Sequence, residues 1–174
     1  EILNLENFGL CDDDLCFRMA RCNQIREISL SGNHLHHIPS FVSDCDAAVL
    51  QKFEIDTKEL NLFDQFVCSQ NDTGLLVSAA RLYCTEPSVN FFGCDLSDGD
   101  LDVLSMSKDV QWDRIISVDL RQNPRVTRLP SFLHYCNPKI LRECLLDTSG
   151  MSHEYQVICD TKRVSLIIAA AYLS

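Results

Sequence analysis

The residues of this chain that could carry chemistry are its ten cysteines, its five histidines and its clustered acids. A cysteine nucleophile needs a histidine or a helix N-terminus to hold it as thiolate. No family signature joins any cysteine here to a histidine. His34-Leu35-His36-His37 offers imidazoles for zinc, but zinc asks for about four converging ligands, and no two cysteines stand at C-x-x-C spacing. Asp12-Asp13-Asp14 and Asp98-Gly99-Asp100 have the oxygen donors calcium prefers, yet neither continues into a loop that closes on a glutamate. Both fit helix starts better, because carboxylates favour a helix N-terminus. There is no phosphate-cradling glycine loop. The expectation is a non-enzymatic protein with no catalytic residue, no cofactor and no metal.

The cysteines therefore need another account. Cys22, Cys45, Cys68, Cys136 and Cys159 fall at similar points along the chain, and a buried free thiol packs as a small hydrophobe. Reduced core thiols in a cytoplasmic protein are expected. An extracellular domain stapled by disulfides is the alternative, and a thiol count under denaturing conditions separates the two.

The elements that must position these residues follow from an internal duplication. Ile38-Pro39-Ser40-Phe41 through Cys45 returns as Leu129-Pro130-Ser131-Phe132 through Cys136. Asp56-Thr57 returns as Asp147-Thr148, and Val67-Cys68 as Ile158-Cys159, all displaced by 91 positions. Leu30 and Asn33 return as Leu120 and Asn123, displaced by 90. Two similar blocks, 1–87 and 88–174, make up one domain. Opening at Glu1-Ile2-Leu3 already in pattern, the chain is expected to be part of a longer protein without a leader of its own.

Ile25–Cys45 reads IREISLSGNHLHHIPSFVSDC, and Ile115–Cys136 reads IISVDLRQNPRVTRLPSFLHYC. Ile25, Ile28, Leu30, Asn33, Leu35 and Ile38-Pro39 resemble a leucine-rich repeat. Leu5–Cys22 is similar to the cysteine-containing repeats of F-box-type proteins, in which a helix follows the strand. The resemblance implies an α/β solenoid of about seven repeats. Parallel strands would line its concave face, with short helices and 3₁₀ turns on its convex face. It also implies binding of protein. In that frame the strands centre on Leu3 and Leu5, Ile28 and Leu30, Phe53 and Ile55, Phe92 and Cys94, Val118 and Leu120, and Cys144 and Leu146. A further strand near Val77–Ala79, with a counterpart near Ile168–Ala170, would fill the gap at residues 62–88, though the alanines fit a helix equally well. Asn33 and Asn123 would place their amides against loop backbone.

Residues alternating with the core positions would face solvent. They are Glu27, Ser29 and Ser31, then Lys52, Glu54 and Asp56, then Ser117, Asp119 and Arg121, and finally Glu143, Leu145 and Asp147. The stripe is mostly acidic, with Leu145 as its apolar anchor. Trp112 sits in a segment, Asp109–Arg114, that the first block lacks, so it is a second candidate for partner contact or else the cover of a helix end. Net charge is −10. Residues 1–87 hold 14 acids against 6 bases, net −8, and residues 88–174 hold 11 against 9, net −2. Such a surface repels phosphates, which argues against nucleic acid and anionic membrane and favours a basic protein partner. The alternative functions are the substrate-recognition domain of a multidomain enzyme such as a ubiquitin-ligase receptor, and an extracellular recognition domain.

Overall fold

A computed structural model describes residues 1–16 and 21–173. The chain divides into two compact units, Glu1–Cys84 and Thr85–Ser174. The boundary falls three residues before the one the duplication suggested.

In the first unit, β1 (Ile2–Asn4), β2 (Glu27–Ser29) and β3 (Lys52–Glu54) form a parallel sheet in that order. Leu3 pairs with Ile28, and Ile28 with Phe53. Strands this close in sequence can run parallel because each crossover is compact: Pro39 fixes the backbone and a 3₁₀ turn follows over Ser40–Asp44. Ile28, Leu30, Ile38 and Phe41 are fully buried beneath the sheet. At about 25 cal/mol per Å², each contributes roughly 1.5–3 kcal/mol. The unit closes with α1 (Leu62–Ser69) and α2 (Thr73–Ala80). Asn61 caps α1 by accepting the Asp64 N–H at 3.0 Å, and Asp72 caps α2 by accepting the Leu75 N–H at 3.0 Å.

The second unit repeats this plan. β4 (Val89–Asn90), β5 (Ser117–Leu120) and β6 (Glu143–Leu146) form another parallel sheet, with Val89 opposite Val118 and Val118 opposite Cys144. α3 (Asp98–Ser105) follows β4 and opens with a capping box: Ser97 Oγ accepts from the Asp100 N–H, and the Ser97 N–H donates to Asp100 Oδ2 at 2.8 Å. Leu101 and Leu104 turn inward from it. α4 (His153–Asp160) and α5 (Val164–Ala171) end the unit.

The expectation of one leucine-rich-repeat solenoid is corrected here. The strands lie in two separate three-stranded sheets, and the fold is mixed α/β with five helices among the described residues. No strand forms at Val77–Ala79 or Ile168–Ala170. Those residues lie within α2 and α5. Leu75-Leu76-Val77 and Ala79-Ala80 are buried on either side of a half-buried Ser78, a pattern that suits a covered helix as well as a strand. The alanines and the Asp72 cap decide for helix. The frame of the fourth strand is also corrected by one residue. Val89 and Phe91 are buried while Phe92 is 46% exposed, so Phe92 belongs to the open face rather than the core. A slip of one turns every side chain over. Where a helix is expected within Leu5–Cys22, a 3₁₀ turn forms over Asp12–Leu15; residues 17–20 lie outside the described residues.

Candidate partner-binding face of the first sheet

The register of the first sheet builds its exposed face row by row. Ile2, Glu27 and Lys52 lie side by side, and Asn4, Ser29 and Glu54 form the next row. Alternation carries Glu6, Ser31 and Asp56 onto the same face beyond the strand ends. Four carboxylates, Glu6, Glu27, Glu54 and Asp56, thus share this face with one ammonium, Lys52.

Lys52 Nζ stands 2.8 Å from Glu54 Oε1. That hydrogen bond first, and then the charges of Glu54, Glu27 and Glu6, hold the Lys52 ammonium above the ordinary lysine value. The same bond holds the Glu54 carboxyl below its usual range. Three acids therefore act on one base, and the face keeps a negative surplus. Both partners are exposed enough for water and salt to screen the pair, so it fixes geometry more than it adds stability.

Ser29 is buried rather than open. Its hydroxyl donates to Glu6 Oε1 at 2.5 Å and ties Glu6, which the sequence did not single out, to the middle strand. Asp56 Oδ2 accepts the Gly32 N–H at 2.6 Å, which fixes its carboxylate over the turn leaving β2. Gly32 has φ +76°, and a Cβ there would stand 2.1 Å from Asn7 Oδ1. Only glycine lets that turn close without a clash. Ser31 is half-buried beside it.

The face of the second sheet is chemically different. Arg121 donates from Nε to Asp119 Oδ1 at 3.0 Å and from an Nη to Oδ2 at 2.7 Å. This two-point bond holds the Asp119 carboxyl below the usual carboxylate range. The Arg121 guanidinium also lies 5.5 Å from the centre of the Phe92 ring. Ser149 donates to Asp147 from its hydroxyl at 2.7 Å and from its N–H at 3.1 Å, again lowering that carboxyl. Ser117 pairs with Glu143, and Leu145 lies beside Asp119, half-buried. Here Asp119 and Arg121 cancel each other, Glu143 and Asp147 leave a smaller negative surplus, and an arginine-covered aromatic edge remains.

Trp112 joins neither face. It is buried and stacks on Phe132 with ring centres 4.8 Å apart. Its 3₁₀ turn, Trp112–Arg114, matches Cys22–Gln24 in the first unit. The extra residues of the second unit fall before it, between Leu101 and Trp112, where the first unit has only Leu15 to Cys22.

The chemistry-bearing side chains are occupied structurally. Asp12 accepts the His36 N–H at 3.0 Å and lies 2.9 Å from His36 Nδ1, clamping the turn before Ile38. His37 stacks on Tyr83 at 4.2 Å. Tyr83 donates to Asp64 Oδ2 at 2.9 Å, and Asn61 Nδ2 and the Ile38 N–H donate to the same oxygen at 3.0 and 2.9 Å. Asp64 is fully buried, and desolvation pushes its carboxyl up to about 6 against the pull of those donors. Sequence reasoning missed this cluster because Tyr83 and Ile38 reach Asp64 from 19 and 26 positions away. None of the ten cysteines is in a disulfide; Cys22, Cys45 and Cys136 are buried, and Cys11 and Cys16 are exposed. Burial pushes the Cys45, Cys68 and Cys136 thiols up to about 12, which removes their thiolate character at neutral pH.

Comparison with protein-family models, with curated proteins and with solved structures found no match to the chain. Among the described residues no helix is long and apolar enough to cross a membrane.

Proposed function

We propose that this chain is a non-enzymatic module that binds a basic protein through the exposed face of its first sheet. The observation that carries this reading is the charge imbalance held there by the strand register: Glu6, Glu27 and Glu54 converge on the single Lys52. Rigid strand positions keep the carboxylates apart and in place, which favours selective docking over diffuse attraction. The likeness of Ile25–Cys45 and Ile115–Cys136 to repeats that commonly bind protein adds support. So does the upward displacement of the buried thiols, which leaves them poor nucleophiles.

The test is salt dependence. The probe is a lysine- and arginine-rich decapeptide, followed by fluorescence anisotropy. Binding is expected to weaken about tenfold between 50 and 300 mM salt, because exposed charges are screened within a Debye length. Salt-independent binding, or none at low salt, would remove the acidic face as the site. We also propose that the protein works where thiols stay reduced, since three cysteines serve as core packing. Ten reactive thiols in denaturant are expected, and several disulfides would overturn this.

A further inference from the structure

The first sheet ends at β3, and among the described residues no strand pairs with the outer edge of β3. The consequence is visible in burial. Ile28 on β2, which has a strand on each side, and Leu30 just beyond it are 1% and 0% exposed. Phe53 on β3 and Ile55 just beyond it stay half-exposed. The backbone is unequal too. The Lys52 N–H donates to Arg26 O at 3.1 Å, and Glu54 O accepts the Leu30 N–H at 2.8 Å, so residues 52 and 54 turn their polar groups to β2. Alternation then turns the N–H and C=O groups of Phe53 and Ile55 outward.

A groove of about 500 Å³ runs along this edge. Phe53, Ile55, Val67 and Leu76 give it an apolar side, while Glu54 and Asp72 give it two carboxylates against the one ammonium of Lys52. That volume lies within the usual range of roughly 300–1,000 Å³ for a binding cleft. An outward row of backbone donors and acceptors, an apolar trough beneath it and carboxylates above it together match one occupant. An added strand would hydrogen-bond to the free edge. Its alternate side chains would fall into the trough or stand beside Glu54, as in any cross-strand pairing.

We infer that the outer edge of β3 accepts an extended strand of a basic partner protein, with apolar side chains seated over Val67 and Leu76 and basic ones alongside Glu54. This rests on the proposal that the first sheet binds a basic protein, and it adds where the partner's backbone lies.

The experiment titrates the ¹⁵N-labelled chain with a degenerate pool of capped heptapeptides. These carry Lys or Arg at odd positions and Val, Ile or Leu at even ones. Two further pools carry N-methyl groups at the odd or at the even amides. The amides of Phe53 and Ile55 are expected to shift and to exchange at least tenfold more slowly with the unmodified pool. One N-methylated pool should bind at least tenfold more weakly and the other nearly as well, because only one set of strand N–H groups faces β3. Equal binding of all three pools, with shifts confined to Glu27, Glu54 and Asp56, would overturn the edge inference and leave the acidic face standing. Absence of shifts anywhere in the first sheet would overturn both.

Discussion

The two units share a scaffold and differ in what they display. Asn33 accepts the Leu10 N–H at 3.0 Å and donates to the carbonyls of Leu5 and Leu30. Asn123 accepts the Leu96 N–H at 2.8 Å and donates to Phe91 and Leu120 in the same way. Asp12 holds the His36 N–H, and Asp98 holds the Thr127 N–H, both at 3.0 Å. Cys11 with Asp14 and Ser97 with Asp100 form matching capping boxes. What the copies preserve are the polar groups that answer buried backbone. What they change lies on the surface and at the closing helices. Glu6, Glu27 and Glu54 crowd one lysine in the first sheet, while Asp119 and Arg121 neutralise each other in the second. Leu75 on α2 is 3% exposed, and its counterpart Leu166 on α5 is 43% exposed. Asp64, tied into α1 by three donors, is replaced by Tyr155 in α4. The lesson is that backbone satisfaction constrains the duplicated fold, and the sheet faces were free to diverge in chemistry.

The comparison can be broken most forcefully at the core. Leu30→Asp and Leu120→Asp each place a carboxylate where the residue is 0% exposed. Each should cost more than about 4 kcal/mol and unfold its own unit. Calorimetry that shows either variant melting cooperatively near the wild-type temperature would contradict the shared register. Next come the asparagines. Asn123→Ala takes a hydrogen bond from three backbone groups at a site that is 0% exposed, and Asn33→Ala does so at one that is 7% exposed. Losses of about 2–3 and about 1–2 kcal/mol are expected in urea titrations. Equal, negligible losses would mean that water replaces both amides.

A smaller effect separates the units by pH. Asp64 has a folded pKa of about 6, above the roughly 3.9 of an unfolded aspartate. Its raised value means that its contribution to stability is fully present below about pH 4 and is lost as pH rises through about 6. Wild type measured against Asp64→Asn should therefore lose about 1–3 kcal/mol of relative stability between pH 4 and pH 7. The variant comparison removes the opposite trend of Glu54, Asp119 and Asp147, whose lowered carboxyls favour higher pH. A flat difference across that range would show that Asp64 stays ionised in the fold.

Much of this was legible in the sequence, and the failures have physical causes. The pairings of Ile28 with Phe53 and of Val118 with Cys144 follow from alternation and spacing, and the helix start at Asp98-Gly99-Asp100 from its carboxylates. Phe91-Phe92 places two aromatics in succession, and a period of two fits either frame. The apolar runs of α2 and α5 carry no periodicity that tells a buried helix from a buried strand, so the separation of the sheets was hidden. Trp112 stayed open between partner contact and the cover of a helix end because its stacking partner, Phe132, is twenty positions away. The acidic row was readable from Glu27, Glu54 and Asp56. Glu6 follows from the same alternation, one step beyond Asn4, and was overlooked; the Ser29 hydroxyl then holds it in place.

The most direct test reverses charge on both faces and reads affinity for one lysine- and arginine-rich decapeptide. Glu27→Lys with Glu54→Lys should weaken binding at least tenfold without changing the melting temperature, whereas Asp119→Lys with Glu143→Lys should stay within about twofold of wild type. An equal loss from both pairs, or a larger loss from the second, would contradict the account.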